Sequence, residues 1–277
     1  MTTLPFAELH AFCDGDAPHT GNPAAVVLLD EPLDDETLAG IARSNNLSET
    51  AYLLAEAEDH WSLRWFTPGA EVDFCGHATL ASGAWLLDHG RVKGDAARFS
   101  TRSGPMSVAR TGTPGRYAMD FPAIDVKRLD AFPGGIAGLG GASPAEVYEL
   151  VRAEPWPWYM VVYEAAQSVT ALQPDMRILK ESGALWSVTA PGGEGSDFVS
   201  RLFAPAIGID EDPVTGSAHC ALGPFWAGRL GRDVLAARQT GPRPGEIHVR
   251  AGRAAPAKGR VGLEGRARPF VEGRITL

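Results

Sequence analysis

The chain has 277 residues, 44% of them hydrophobic and 21% charged, and its 34 acids against 25 bases leave a formal net charge of −9. That apolar content excludes an intrinsically disordered chain, and the length suits one large or two modest domains with a core that needs no disulfides. The acidic balance argues against nucleic acid or an anionic membrane as the main partner.

Cys13, Cys75 and Cys220 are far apart and odd in number, so no disulfide framework is expected. They form no CxxC, and no paired His or Cys motif marks a metal site. The first eight residues show no basic segment followed by an apolar run, which argues against a signal peptide. The longest strongly apolar run, 24–29, is far below the roughly 20 residues of a membrane helix. The expectation is a soluble, cytoplasmic protein.

Glycine (32) and proline (21) are scattered as punctuation along the chain, which implies many short elements joined by turns. Residues 23–29 read as a buried strand stopped by Asp30-Glu31-Pro32. Asp34 is a helix N-cap, with Leu38, Ile41 and Ala42 on one face of a helix fading at Asn45-Asn46. Segments 49–54 and 61–66 alternate as strands. Segment 78–89 is almost uncharged and apolar around most of its circumference, the pattern of a central helix with structure packed around it.

The second half repeats this order. Segment 157–163 corresponds to 23–29, and Pro174-Asp175 opens a helix. Arg64-Trp65-Phe66-Thr67-Pro68 is matched by Arg201-Leu202-Phe203-Ala204-Pro205, and Gly76 by Gly216, at nearly constant offset. The period is far too long for a solenoid. An internal duplication is the reading, giving two α/β lobes linked near 112–142 and a site in the cleft between them. The expected domains are 1–117, completed by a C-terminal strand at about 266–277, and 118–265.

Both glycines open helices, where free N–H groups of the first turn favour an anion such as a carboxylate or an enolate. Other candidates keep two readings on spacing alone. Glu49 is a base or a strand-edge carboxylate, and His77 an acid–base group or a helix-start hydrogen bonder. Asp212 and Ser217 are catalytic, or a turn former and an N-cap. Cys75 and Cys220 read as small buried side chains. No GxxxxGK[ST], GxGxxG or GxSxG is present, and the glycines at 134–141 suit a flexible loop.

Gly21-Asn22-Pro23-Ala24-Ala25-Val26, Ser48-Glu49-Thr50, Cys75-Gly76-His77-Ala78-Thr79 and Glu211-Asp212-Pro213-Val214-Thr215-Gly216-Ser217-Ala218-His219 together resemble the PhzF-like (phenazine-biosynthesis) family. This family belongs to the diaminopimelate-epimerase-like superfamily. The resemblance covers nearly the whole chain and implies an α+β fold of two pseudo-symmetric lobes, each a curved mixed sheet wrapped around a central apolar helix. It implies a cofactor-free, metal-free cleft, and commonly a homodimer. It also implies an isomerase that moves a proton on a small unsaturated or amino carboxylate, as with trans-2,3-dihydro-3-hydroxyanthranilate. Catalytic roles then fall on Glu49 as general acid and base, with His77, Asp212 and Ser217. Substrate binding falls on Asn22, Gly76, Gly216 and Ala218.

Two departures stand out. The family's Gln-x-x-x-Arg-Gly-Gly is Gln239-Thr240-Gly241-Pro242-Arg243-Pro244-Gly245 here, and Pro244 lacks an N–H. Cys75 matches one of the two cysteines of the superfamily's racemases, but the second lobe offers Pro213, Val214 or Thr215. Moving Glu49 by the repeat offset lands in 183–189, which holds no carboxylate. A single carboxylate suits a proton shift along one face. An epimerase or racemase, or a non-catalytic small-molecule-binding protein, are the alternatives.

Overall fold

The computed structural model describes residues 2–151, 156–193 and 195–277. These group into two compact units, 1–120 with 264–277, and 121–263. The first carries β1 (Thr3–Ala11), β2 (Asn22–Leu29), α1 (Asp35–Asn45), β3 (Glu49–Ala57), β4 (His60–Phe66) and β5 (Glu71–Val72). It continues with α2 (Gly76–Asp88), β6 (Ala96–Ser100), β7 (Met106–Arg110) and β8 (Arg116–Pro122). The second carries β9 (Val126–Arg128), β10 (Glu146–Leu150), β11 (Trp158–Val162), α3 (Ala166–Thr170) and α4 (Met176–Glu181). After these come β12 (Leu185–Pro191), β13 (Phe198–Ala204), β14 (Ile209–Asp212), α5 (Gly216–Leu230), β15 (Val234–Gln239) and β16 (Gly245–Arg250). The last strand, β17 (Arg260–Thr276), pairs antiparallel with β1, from Ala11 with Ala267 to Thr3 with Thr276.

In the first unit β2 lies between β1, antiparallel, and β3, parallel, which is why its run of apolar residues is continuous. Strand β4 then pairs antiparallel with β3 and parallel with β6. Alternation along the strands assigns the two faces. Val27, Leu29 and Tyr52 pack with Leu38, Ile41 and Ala42 of α1. The opposite parity, Asn22 and Ala24 on β2 and Glu49, Ala51 and Leu53 on β3, faces away from that cluster. Helix α1 is capped by Asp34, which accepts from the Thr37 N–H at 2.9 Å, and carries Asp35 and Glu36 in its first turn.

Helix α2 is buried from Gly76 to Leu87 and packs on β1, β2, β3, β6 and β7. It starts two residues earlier than the apolar pattern indicated, because Gly76 and His77 form its first turn. Gly83 marks where it approaches β7, since a Cβ there would lie 2.3 Å from the Cβ of Val108.

The second unit pairs β11 parallel with β12, β12 antiparallel with β13, and β13 parallel with β15. Val188, Ala190, Val199 and Phe203 pack with Val169 and Leu179 of the short helices α3 and α4. Helix α5 contains Pro224, which cannot donate to the carbonyl of Cys220. The Ile124 N–H takes that carbonyl instead, at 3.0 Å.

One expectation changes here. The glycine-rich stretch is not a loose loop, because it forms a 3-10 turn at Ile136–Leu139 with Gly138 and Leu139 buried. The carbonyl of Gly138 accepts from the Asp175 N–H at 2.7 Å, and a Cβ at Gly138 would lie 2.8 Å from Ile178. Gly138 serves close packing against α4.

Candidate active site

Two loops of the first unit end at the same place. Asn22 opens β2, and Glu49 opens β3 in register with Ala24, so both project toward the face opposite α1. Helix α2 begins there with Cys75 as its N-cap residue and His77 as its second residue. The resulting cluster is dense: Glu49 Oε2 lies 3.0 Å from His77 Nε2, and Asn22 Nδ2 lies 3.2 Å from His77 Nδ1. Cys75 Sγ lies 3.6 Å from His77 Nδ1, and the Ala78 N–H points at the same sulfur. Asn22, Glu49, Cys75 and His77 are all more than nine-tenths buried.

Electrostatics follow from that burial. Desolvation pushes the Cys75 thiol up to about 11, and the negative Glu49 adds to the rise, so at neutral pH it is a thiol. Desolvation pulls His77 the other way, but its contacts with Cys75 and with the negative Glu49 outweigh it and leave the imidazole well above its ordinary range. With the thiol protonated, Glu49 is the anion that holds the imidazolium. A carboxylate and an imidazole in contact in a medium of low dielectric can pass a proton and hold charge of either sign. The first-turn N–H groups of α2, Gly76 and His77 among them, lie outside the helix's own ladder and favour an anion.

The remaining predicted residues lie in the second unit. Asp212 ends β14 and accepts from the hydroxyl of Thr215, the N-cap residue of α5. Gln239 completes this loop. Its Oε1 accepts from the Thr215 N–H at 2.9 Å, and its Nε2 donates to the Asp212 carbonyl at 2.7 Å. Gly216 is the first residue of α5, Ser217 the second and Ala218 the third, so Ser217 is not the N-cap. One turn on, His219 is fully buried with Nδ1 2.8 Å from the Thr215 carbonyl. Burial lowers its pKa to about 4, and the bond to the carbonyl offsets this only in part, so the imidazole is neutral. Pro244 lies in the β15–β16 turn, beyond the last ladder pair of Gln239 with Gly245, so its missing N–H costs no strand hydrogen bond.

Reading the residues one at a time missed Cys75, Thr215 and Gln239 as contributors. Cys75 passed as a small buried side chain. Gln239 carried a signal as the first residue of the C-terminal motif, but nothing in its spacing pointed to Thr215.

The mixed, sheet-rich α+β fold is shared with structures of PhzF proteins and of epimerase-like proteins. The chain belongs to the phenazine biosynthesis-like (PhzC-PhzF) family, whose sequence model matches residues 9–273. One relative, an uncharacterized isomerase of Pseudomonas aeruginosa, is 44% identical over 281 residues, covering 99% of each chain. The crystal structure of a PhzF-family phenazine biosynthesis protein of Enterococcus faecalis matches with a TM-score of 0.88 and 36% identity over the whole of both chains. A probable proline racemase from Agrobacterium radiobacter shares the fold alone, with a TM-score of 0.63 at 12% identity over 99% of this chain and 93% of its own. No described helix is long and apolar enough to cross a membrane.

Proposed function

We propose that this chain is an isomerase that moves a proton on a small unsaturated or amino carboxylate, with Glu49 as general acid and base. The observation that carries this reading is the buried Glu49–His77 pair at 3.0 Å beside the N-terminus of α2. Glu49 takes the acidic C–H proton, the electron pair moves into the adjacent unsaturation, and Glu49 returns the proton at another carbon. N–H groups around Gly76 hold the substrate carboxylate and the developing negative charge, an effect worth roughly 3–4 kcal/mol per donor in other enzymes. His77 supplies positive charge and relays protons, and Asn22 orients its ring. The chemistry needs no bound cofactor. Asp212 and Ser217, with Gly216 and Ala218, contribute to the same turnover. This part of the proposal rests on family membership.

The names of relatives support the class of reaction, since the Pseudomonas aeruginosa relative is called an isomerase. An epimerase is the second reading. It is favoured by the Cys75 thiol, a further proton donor 3.6 Å from His77. The two differ in whether the product is a positional isomer or is inverted at one carbon.

We also propose that the two units are copies of one ancestor. Both run antiparallel, parallel, antiparallel, parallel from their second strand pair on. Both have an Arg–Glu fork, Arg64 with Glu71 at 2.7 Å and Arg201 with Glu211 at 2.8 Å. Both have a mid-helix glycine against a strand valine, Gly83 with Val108 and Gly223 with Val249. In this alignment Glu49, paired with Ala24, corresponds to Leu185, paired with Trp158, so only one copy carries the base. Family membership further suggests a homodimer, which sedimentation at twice the chain mass would support.

The test is proton NMR in D₂O with trans-2,3-dihydro-3-hydroxyanthranilate and other small unsaturated or amino acids, beside Glu49→Gln. The expected result is deuterium entering product only with the native glutamate. Full turnover by a folded Glu49→Gln variant would overturn the mechanism. Tight binding with no exchange for any substrate tried would favour a binding protein.

A further inference from the structure

The two units treat one arginine differently. Arg64 and Arg201 each fork onto a glutamate, Glu71 and Glu211, and each lies over the ring of the phenylalanine two positions on. A guanidinium has five N–H donors in a fixed plane. In the first unit Nη2 of Arg64 gives its second N–H to the Asp35 carboxylate, at 2.8 Å. In the second unit Nη1 of Arg201 donates to the carbonyls of Val169 and Leu172, at 3.2 and 3.0 Å. Its Nη2 reaches Glu211 alone, so one N–H stays uncommitted among the described residues.

Arg201 is nine-tenths buried and lines a cavity of about 430 Å³, a size that suits a small organic ligand. Thr170, Leu172, Arg238, Thr240 and Pro244 also line it. Strands β13 and β15 run parallel with Val199 beside Arg238, so Arg201 and Arg238 project from neighbouring strands on one face. The hydroxyls of Thr170 and Thr240 make only long bonds to main-chain carbonyls, 3.2 and 3.3 Å, and can turn to an incoming acceptor. The cavity is separate from the candidate active site. Arg201 shares a face with Val199 and Phe203, which pack on α3 and α4, and Glu211 pairs with Phe203 on that face. Asp212, the next residue, points to the opposite one.

Two guanidiniums and two hydroxyls select an anion, and the planar oxygens of a carboxylate match the edge of a guanidinium. Leu172 and Pro244 add apolar wall, which favours an organic carboxylate over an inorganic oxyanion. Glu211, and Glu246 facing Arg238 across the β15–β16 ladder, offset part of the positive charge, so the affinity is modest. We propose that this cavity binds a small organic carboxylate, with its anionic head between Arg201 and Arg238 and its apolar body against Leu172 and Pro244. The head takes the part that Asp35 plays beside Arg64. The proposal does not depend on the isomerase reading.

The experiment titrates the full-length protein with benzoate at constant ionic strength and follows assigned amide signals by NMR. Those of Thr170, Leu172 and Thr240 should shift and saturate at roughly millimolar benzoate, and neutral benzamide should leave them in place. Arg201→Gln should abolish the shifts. Arg238→Gln removes an exposed guanidinium without touching the Glu211 fork, so it keeps the test valid if the first variant does not fold. It should weaken binding by roughly fivefold or more, the weight of one charge-assisted hydrogen bond. Absence of saturable shifts, equal shifts with benzamide, or an unchanged response in Arg238→Gln would each overturn the proposal. So would inorganic phosphate binding as tightly as benzoate. Shifts confined to Gly76 and His77 would also overturn it, while leaving the candidate active site and its isomerase reading intact.

Discussion

Glu49 Oε2 and His77 Nε2 are 3.0 Å apart in a place where each side chain keeps no more than a tenth of its surface. Burial alone would lower the histidine pKa, and the adjacent Cys75 and the Glu49 carboxylate reverse that. Glu49→Gln should therefore bring His77 below its ordinary value of about 6.5, so that it is neutral at pH 7. Ring chemical shifts followed against pH check this, and a charged His77 in the variant would contradict it. The sign for stability follows from linkage. A folded pKa above the unfolded one stabilises fully below about pH 6.5 and is lost as pH rises through the folded value. Native protein should lose stability on that alkaline side, and the variant should not.

His219 has the opposite sign. Its folded value of about 4 lies under the unfolded value near 6.5, so the unfolded chain holds the extra proton between them. The contribution is complete above about pH 6.5 and falls by up to about 3 kcal/mol on going down to pH 4. In His219→Gln, which keeps a donor for the Thr215 carbonyl but does not titrate, denaturant melts over that range should show a flatter acid slope. Equal slopes would refute the assignment.

A Cβ at Gly83 would sit 2.3 Å from Val108 Cβ, and one at Gly223 would sit 2.4 Å from Val249 Cγ1. Alanine at either position should destabilise by roughly 1–3 kcal/mol through overpacking, although alanine is the better helix former by about 1 kcal/mol. Adding Val108→Ala to Gly83→Ala should recover part of the loss. A purely additive double mutant would argue against the contact.

Gln239 serves the Thr215 N–H and the Asp212 carbonyl with one amide. Gln239→Leu strands both groups, and each unsatisfied buried group costs about 1–3 kcal/mol. The variant should melt earlier and show faster amide exchange at Thr215. Unchanged exchange there would mean that the loop is held by other contacts.

Some of this was readable locally. Asp34, Leu38, Ile41 and Ala42 announce α1 because capping and the 3.6-residue period involve residues within one or two turns. The apolar circumference of 78–89 announces a central helix for the same reason. The role of Gly138 was not readable, because Ile178 that presses on it lies forty positions away. Gly83 inside α2 looks like a weak point until Val108 of β7 is placed beside it.

By itself, the amino-acid sequence determined the local elements, the family motifs and the residue types at both helix openings. The tertiary structure alone decided that Cys75 joins Glu49 and His77, that Gln239 holds the Thr215 loop, and that Ile124 takes the carbonyl left open by Pro224. These contacts join residues up to about a hundred positions apart. Their geometry depends on strand register and helix approach, which are global properties of packing that no window of neighbouring residues contains.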